Sequence, residues 1–206
     1  MEPAASGIQP TRSSLKKAPR KHSLEAYLRR EERSRERHEY YDGYITPVAM
    51  AKGPHNEIAA NTIAAIKNAV KQADKTFRVF SSNQKIYIPA LNVGLYPDAV
   101  VVSEGPEYWD DGELLLTNPL LIVEVLSKST RHFDRGDKFR DYKQLSSFME
   151  YVMIEQTHCH VDTYFREEPD LWRTGVLNDL TAQLTLRSIG CSIELADVYE
   201  YIVFTH

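Results

Sequence analysis

The sequence predicts a mixed α/β fold of the α+β kind: a mixed β-sheet core flanked by helices. Three observations carry this. Short apolar runs at 97–102, 120–126 and 151–154 have the length of buried strands. Two longer segments, near 55–73 and 134–145, repeat apolar residues at spacings of three and four, as a one-sided helix does. The two kinds of segment alternate, and no internal repeat interrupts them.

Taken in order, Ser23 is placed to cap a helix that opens with Leu24, Tyr27 and Leu28 and runs through a charged stretch to about Arg37. The alternating Arg and Glu residues from Arg29 to Glu36 predict a solvated face with ion pairs one turn apart. Tyr40-Tyr41-Asp42-Gly43-Tyr44-Ile45 reads as strand, Asp-Gly turn, strand. Gly53-Pro54 breaks the chain, and Ala59, Ile63, Ile66 and Val70 line one face of the helix that follows. Phe77 to Ser81 and Gln84 to Ile88 are short strands, and Pro97 opens the strand that ends at Val102. An acid-rich loop covers 103–118. Leu120 to Leu126 is apolar on both faces and belongs at the centre of the sheet. Phe139, Tyr142 and Leu145 share one side of the 134–145 helix, and Tyr151 to Ile154 is a further buried strand. From Val161 to Ile202 short strands alternate with polar turns.

A chain of 206 residues suits one such domain. Residues 1–22 lack apolar periodicity and carry five cations against Glu2 alone, a net +4 that leaves −8 on the rest of a chain whose total is −4. They are expected to form a disordered basic arm ahead of a single domain at 23–206. An acidic body has no general field for nucleic acid, so any such contact must be local. No apolar run is long enough to span a membrane. The first residues lack a secretory apolar stretch, and Cys159 and Cys191 make no disulfide framework, which predicts a reducing, cytoplasmic compartment.

Two acids stand where a strand should be apolar. Asp98 begins one strand, and Glu124 lies inside Leu121-Ile122-Val123-Glu124-Val125-Leu126. A carboxylate inside a sheet costs several kcal/mol unless it is paired or binds a metal. Neighbouring strands lie about 4.8 Å apart, so two such acids can share one cation, and oxygen ligands suit Mg²⁺ or Mn²⁺. The competing roles are a turn cap for Asp98 after Pro97 and an arginine partner for Glu124. Lys138, on the next helix, is positioned to orient a water or to neutralise a phosphodiester, or else to pair with Asp134 on the surface. Lys128 competes for the same role. His55 opens the 55–73 helix beside Asn56, where donors suit a phosphate or a catalytic water, or serve as a cap. His158-Cys159-His160 has no common zinc spacing, and on a strand its Cys would face away from the two His. No Gly-rich phosphate loop, nucleophile elbow or dinucleotide fingerprint is present.

These residues fall into an ordered series. It runs Tyr41-Asp42-Gly43, His55-Asn56, Tyr96-Pro97-Asp98, then Val123-Glu124-Val125-Leu126-Ser127-x-Ser129-Thr130. It continues with Asp134-x-Gly136-x-Lys138-Phe139-x-x-Tyr142 and Glu150-Tyr151-Val152. The series resembles the bacterial putative restriction endonuclease family of the PD-(D/E)XK nuclease superfamily, over about 23–202. The resemblance implies a restriction-endonuclease-like core ordered helix, three strands, helix, strand. It implies a metal-dependent phosphodiesterase, a DNA endonuclease, with Asp98 and Glu124 binding Mg²⁺ and with Lys138 and His55 in the catalytic site. Cutting both strands of a duplex favours a homodimer.

Three positions depart from the pattern. Leu126 stands where the superfamily usually has its lysine, and Lys138 resembles a migrated substitute. Tyr44 replaces the Glu of Asp-Gly-Glu, and Lys128 replaces the Pro of Ser-Pro-Ser-Thr. The alternative that these leave open is an impaired nuclease-fold protein acting by nucleic-acid binding or oligomerisation. A third possibility is a metal site that only stabilises the fold.

Overall fold

The computed structural model describes residues 20–103, 105–128 and 131–204. Most of the expected basic arm therefore lies outside the described residues. Its last residues pack on the first hairpin: the His22 N–H donates to the Gly43 carbonyl at 2.8 Å, and Lys21 pairs with Asp42.

Helix α1 (Leu24–Glu31) is capped by Ser23, whose hydroxyl accepts the Ala26 N–H. It ends well before Arg37, because Glu31 turns inward and accepts the backbone N–H of His38. Strands β1 (His38–Tyr41) and β2 (Tyr44–Pro47) pair across a two-residue turn in which Asp42 and Gly43 both have positive φ, the mirror-image geometry that suits strand twist. Helix α2 (Gly53–Gln72) begins at the glycine itself, with Pro54 in its first turn, where no intrahelical N–H is needed.

Strands β3 (Arg78–Ser81), β4 (Lys85–Ile88), β5 (Val93–Leu95), β6 (Ala99–Val102), β7 (Leu115–Leu116) and β8 (Leu121–Leu126) follow. A helical segment then comprises α3 (Arg131–Phe133), a π turn (Asp134–Lys138) and α4 (Phe139–Tyr142). Strands β9 (Glu150–Glu155), β10 (Val161–Glu168), β11 (Leu171–Leu177), β12 (Gln183–Leu186) and β13 (Cys191–Glu194) and helix α5 (Leu195–Val198) complete the chain.

The strands form two larger sheets and one hairpin where the sequence predicts a single central sheet. One sheet has six strands in the order β11-β10-β9-β8-β6-β3, and the other five in the order β2-β1-β5-β4-β7; β12 and β13 pair alone. β8 is interior, antiparallel to β6 and parallel to β9. Both its faces are covered. Leu121, Val123 and Val125 pack with Ala99, Val101 and the Ile58–Ile66–Val70 stripe of α2. Ile122 and Leu126 pack on the other side with Val100, the β4–β5 strands and Tyr142. Glu124 has the parity of this second face. The resulting α+β architecture, with mixed sheets and flanking helices, is the predicted fold class.

Candidate active site

The register sets the geometry. Ala99 faces Val123 in the β6–β8 ladder, and the Asp98 N–H extends that ladder to the Val123 carbonyl at 3.1 Å. Asp98 and Glu124 therefore leave neighbouring strands toward the same face, at the end of the ladder. They line a cleft of about 510 Å³ together with His55, Lys138, Glu39 and Asp134.

Asp98 does not cap the turn after Pro97. Its Oδ2 accepts the backbone N–H of Val125 at 2.7 Å, across the strands, and lies 3.3 Å from Nε2 of His55. His55, in the first turn of α2, is thus turned toward the carboxylate. Burial works against its cation, but the hydrogen bond and charge of Asp98 outweigh this and raise its pKa. Nδ1 of His55 is buried without a hydrogen-bond partner among the described residues.

Glu124 is 3% exposed. Its partner is Lys138, not an arginine: Nζ lies 3.1 Å from Oε1, and the Tyr142 hydroxyl donates to the same oxygen at 3.2 Å. Burial pushes the Glu124 pKa well above the ordinary carboxylate range, with Lys138 pulling the other way. Lys138 does pair with Asp134, at 3.2 Å, but not on the surface: it is 6% exposed, and Glu39 Oε1 also approaches to 3.5 Å. Desolvation opposes its charge, yet the surrounding carboxylates win and raise its pKa. The π turn that carries Asp134 and Lys138 widens the helix where the lysine enters, a distortion that recurs at functional sites.

Glu39 is the residue that the sequence reading misses. It reaches the cleft from β1 of the second sheet, and its Oε2 accepts the Tyr41 hydroxyl at 2.6 Å. Strand alternation puts Glu39 and Tyr41 on one face, but a strand begun at Tyr40 leaves the acid outside the pattern. Tyr44, by contrast, is on β2, is exposed, and faces Lys21; it does not line the cleft. Leu126 is fully buried in the core, while Lys128, just past the end of β8, is exposed on the cleft lining.

The histidine pair sits elsewhere. Residues 156–159 form a bend between β9 and β10, not a strand, and His160 faces Asp162 at 3.2 Å. Among the described residues no three His, Cys, Asp or Glu groups gather at metal-ligand spacing.

The cleft residues do fit a two-carboxylate magnesium site. The bonds to Glu124 fall on Oε1 and those to Asp98 on Oδ2, so among the described residues Oε2 and Oδ1 have no protein hydrogen bond. They are hard oxygen donors, and Mg²⁺ is commonly held by one or two carboxylates plus water and phosphate. Four carboxyl groups, of Glu39, Asp98, Glu124 and Asp134, face one buried ammonium and one imidazole, an excess that a divalent cation would relieve.

The family model described as "Putative restriction endonuclease" (Uma2) matches residues 24–196. The chain belongs to the Uma2 family. It is a member of a nuclease family, hydrolases of phosphodiester bonds. Two Synechocystis proteins (strain ATCC 27184 / PCC 6803 / Kazusa) are similar to it. "Uncharacterized protein sll1609" is 33% identical over 146 residues, covering 71% of this chain and 81% of that one. "Uncharacterized protein slr1290" is 32% identical over 183 residues, covering 88% and 93%. Among solved structures, a "putative nuclease belonging to DUF820" from Anabaena variabilis ATCC 29413 has a TM-score of 0.69 at 17% identity, over 88% of this chain and 99% of that one, and shares the fold. The Uma2 match runs from α1 through β13, and so covers every strand that shapes the cleft. No helix among the described residues is long and apolar enough to cross a membrane.

Proposed function

We propose that this Uma2 protein is a Mg²⁺-dependent endonuclease that hydrolyses DNA, with Mn²⁺ as a substitute ion. One observation carries the reading: Asp98 and Glu124, from adjacent strands, converge on one cleft, and each has an oxygen without a hydrogen bond from the described residues. A purely structural pair would be expected to have both oxygens satisfied by the protein.

Asp98 and Glu124 would hold the magnesium ion, which would supply Lewis-acid polarisation and lower the pKa of an attacking water. The chain's own residues prepare the site. The Val125 N–H fixes Asp98, so that carboxylate is set by the sheet itself. Lys138 and Tyr142 fix Glu124 from the helix, through one oxygen. His55, oriented by Asp98, is the group able to hold a proton at the cleft. Attack of water forms one P–O bond as the P–O bond to the leaving oxygen breaks; the water gives up one proton and the leaving oxygen takes one up, so the cleft needs no protein nucleophile.

The burial of Leu126 at the usual lysine position favours a second reading, an impaired nuclease-fold protein that binds nucleic acid or oligomerises. Lys138 bears against it, because its ammonium reaches Glu124 from the next helix. Duplex cutting suits a homodimer, and the free thiols of Cys159 and Cys191 suit the cytoplasm. The deciding experiment is cleavage of supercoiled plasmid with Mg²⁺, then Mn²⁺, by wild type and Asp98→Ala in matched preparations. Nicking by wild type alone is expected. Equal inactivity of both proteins, with no metal binding by calorimetry, would favour the second reading.

A further inference from the structure

Two of the lysines that line the cleft have opposite character. Lys138 is buried, and its Nζ meets Glu124 Oε1 at 3.1 Å, Asp134 Oδ1 at 3.2 Å and Glu39 Oε1 at 3.5 Å. An ammonium has three N–H donors and no acceptor. One hydrogen bond to Glu124 and two ion pairs, with Asp134 and Glu39, surround the ammonium with carboxylate oxygens. To touch a phosphate, Lys138 would have to draw away from Glu124 and Glu39, whose only ion-pair partner among the described residues it is.

Lys128 is exposed on the same cleft, in the turn two positions past the end of the strand that carries Glu124. Among the described residues its ammonium makes no ion pair or hydrogen bond. A phosphodiester entering a cleft with four carboxyl groups needs a cation that is both reachable and unspent. Lys52 and Arg37 are the other cations on the lining, but Lys52 precedes α2, Arg37 precedes β1 and donates to the Ser82 carbonyl, and neither follows the strand of either acid.

We infer that the two lysines divide the work usually given to one: Lys138 is a positioning residue that holds Glu124, Asp134 and Glu39 together, and Lys128 contacts the backbone phosphate of the nucleic acid. The inference rests on the nuclease reading above and adds to it the group that meets the substrate. Lys138 shapes the acids and stays behind them; Lys128 sets affinity.

The test is the salt dependence of binding to a fluorescein-labelled DNA duplex, without divalent metal, for wild type, Lys128→Gln, Lys138→Gln and Lys138→Arg. Each neutralised phosphate contributes about 0.9 to the slope of log affinity against log salt. Lys128→Gln is expected to lower the slope by about that amount and, in Mg²⁺ turnover, to raise KM with kcat little changed. Lys138→Gln is expected to leave slope and duplex affinity unchanged while kcat and Mg²⁺ affinity fall. Lys138→Arg, which keeps the charge, restores part of the Mg²⁺ affinity and serves as the folded comparison if Lys138→Gln melts early. A slope lowered by Lys138→Gln or left intact by Lys128→Gln overturns the assignment and leaves the nuclease reading standing. Wild type that neither binds nor cuts DNA overturns both.

Discussion

The Tyr142 hydroxyl donates to Oε1 of Glu124 at 3.2 Å, from a ring that is itself fully buried in the core. The site and the second core thus share a side chain. Tyr142→Phe removes only the donor. The variant is expected to fold and to lose roughly 1.5–3 kcal/mol of stability, the range for a hydrogen bond to a charged group. Urea denaturation beside wild type measures this, and a loss within error would mean that Glu124 is held by Lys138 alone.

Asp98→Asn and Glu124→Gln preserve shape and remove charge. Both are expected to fold, because each relieves repulsion among the four carboxyl groups. On the proposed reading each variant lacks one of the two metal-binding carboxylates, and cleavage should fall by at least about a hundredfold. Circular dichroism with Mg²⁺ calorimetry distinguishes the outcomes. Unfolding of both variants would make the acids structural.

His55→Gln keeps a polar group beside Asp98 but cannot exchange a proton. The rate is expected to drop roughly 10²-fold, the lower end for a general acid or base, with duplex binding unchanged. If binding weakens and the rate per bound complex holds, His55 is a substrate contact.

Lys85 offers a pH signature away from the acids. It is 3% exposed on β4, with Nζ over the rings of Tyr27 and Tyr96 at 4.4 and 5.0 Å. Burial lowers its pKa from 10.5 to about 8. Below pH 8 the folded and unfolded chains are both protonated there, and the full penalty for burying the charge applies. Between pH 8 and 10.5 only the unfolded chain keeps the proton, so stability rises with pH, by up to about 3 kcal/mol across the interval. Denaturation midpoints for wild type and Lys85→Met from pH 7 to 10 check this. The gap between the two should change in favour of wild type, and a constant gap would place the Lys85 pKa near its ordinary value. The comparison also removes the buried tyrosines, whose raised pKa values act in the opposite direction at the alkaline end.

The strands that hold the two acids are legible in the sequence because both their faces are apolar. In such a run an acid is an anomaly visible without a structure, as Glu124 is. The Asp-Gly turn is legible because its positive φ angles demand those residues. β5 and β7 are not legible: two or three residues cannot establish an alternation. Nor is the second sheet, whose strands β1, β5 and β4 pair out of chain order. Glu39 was lost with it, because its place at the cleft depends on how that sheet closes over the first. Lys138 stands out in the sequence only as a cation on the helix after the Glu124 strand; its burial is invisible in a segment as polar as Asp134-Arg135-Gly136-Asp137-Lys138.

The π turn at Asp134–Lys138 has a consequence for how the protein tolerates insertions and deletions. An α-helix drifts by about 40° over every four residues, so Asp134, Lys138 and Tyr142 on a regular helix would fan out by about 80°. The wider turn takes back part of that drift and keeps the three on the side facing Glu124. Loss of one residue inside it, Gly136 for example, would tighten the winding and rotate the helix like a key turned in its lock. The lysine and the tyrosine would then be separated from the acid with every site side chain still present.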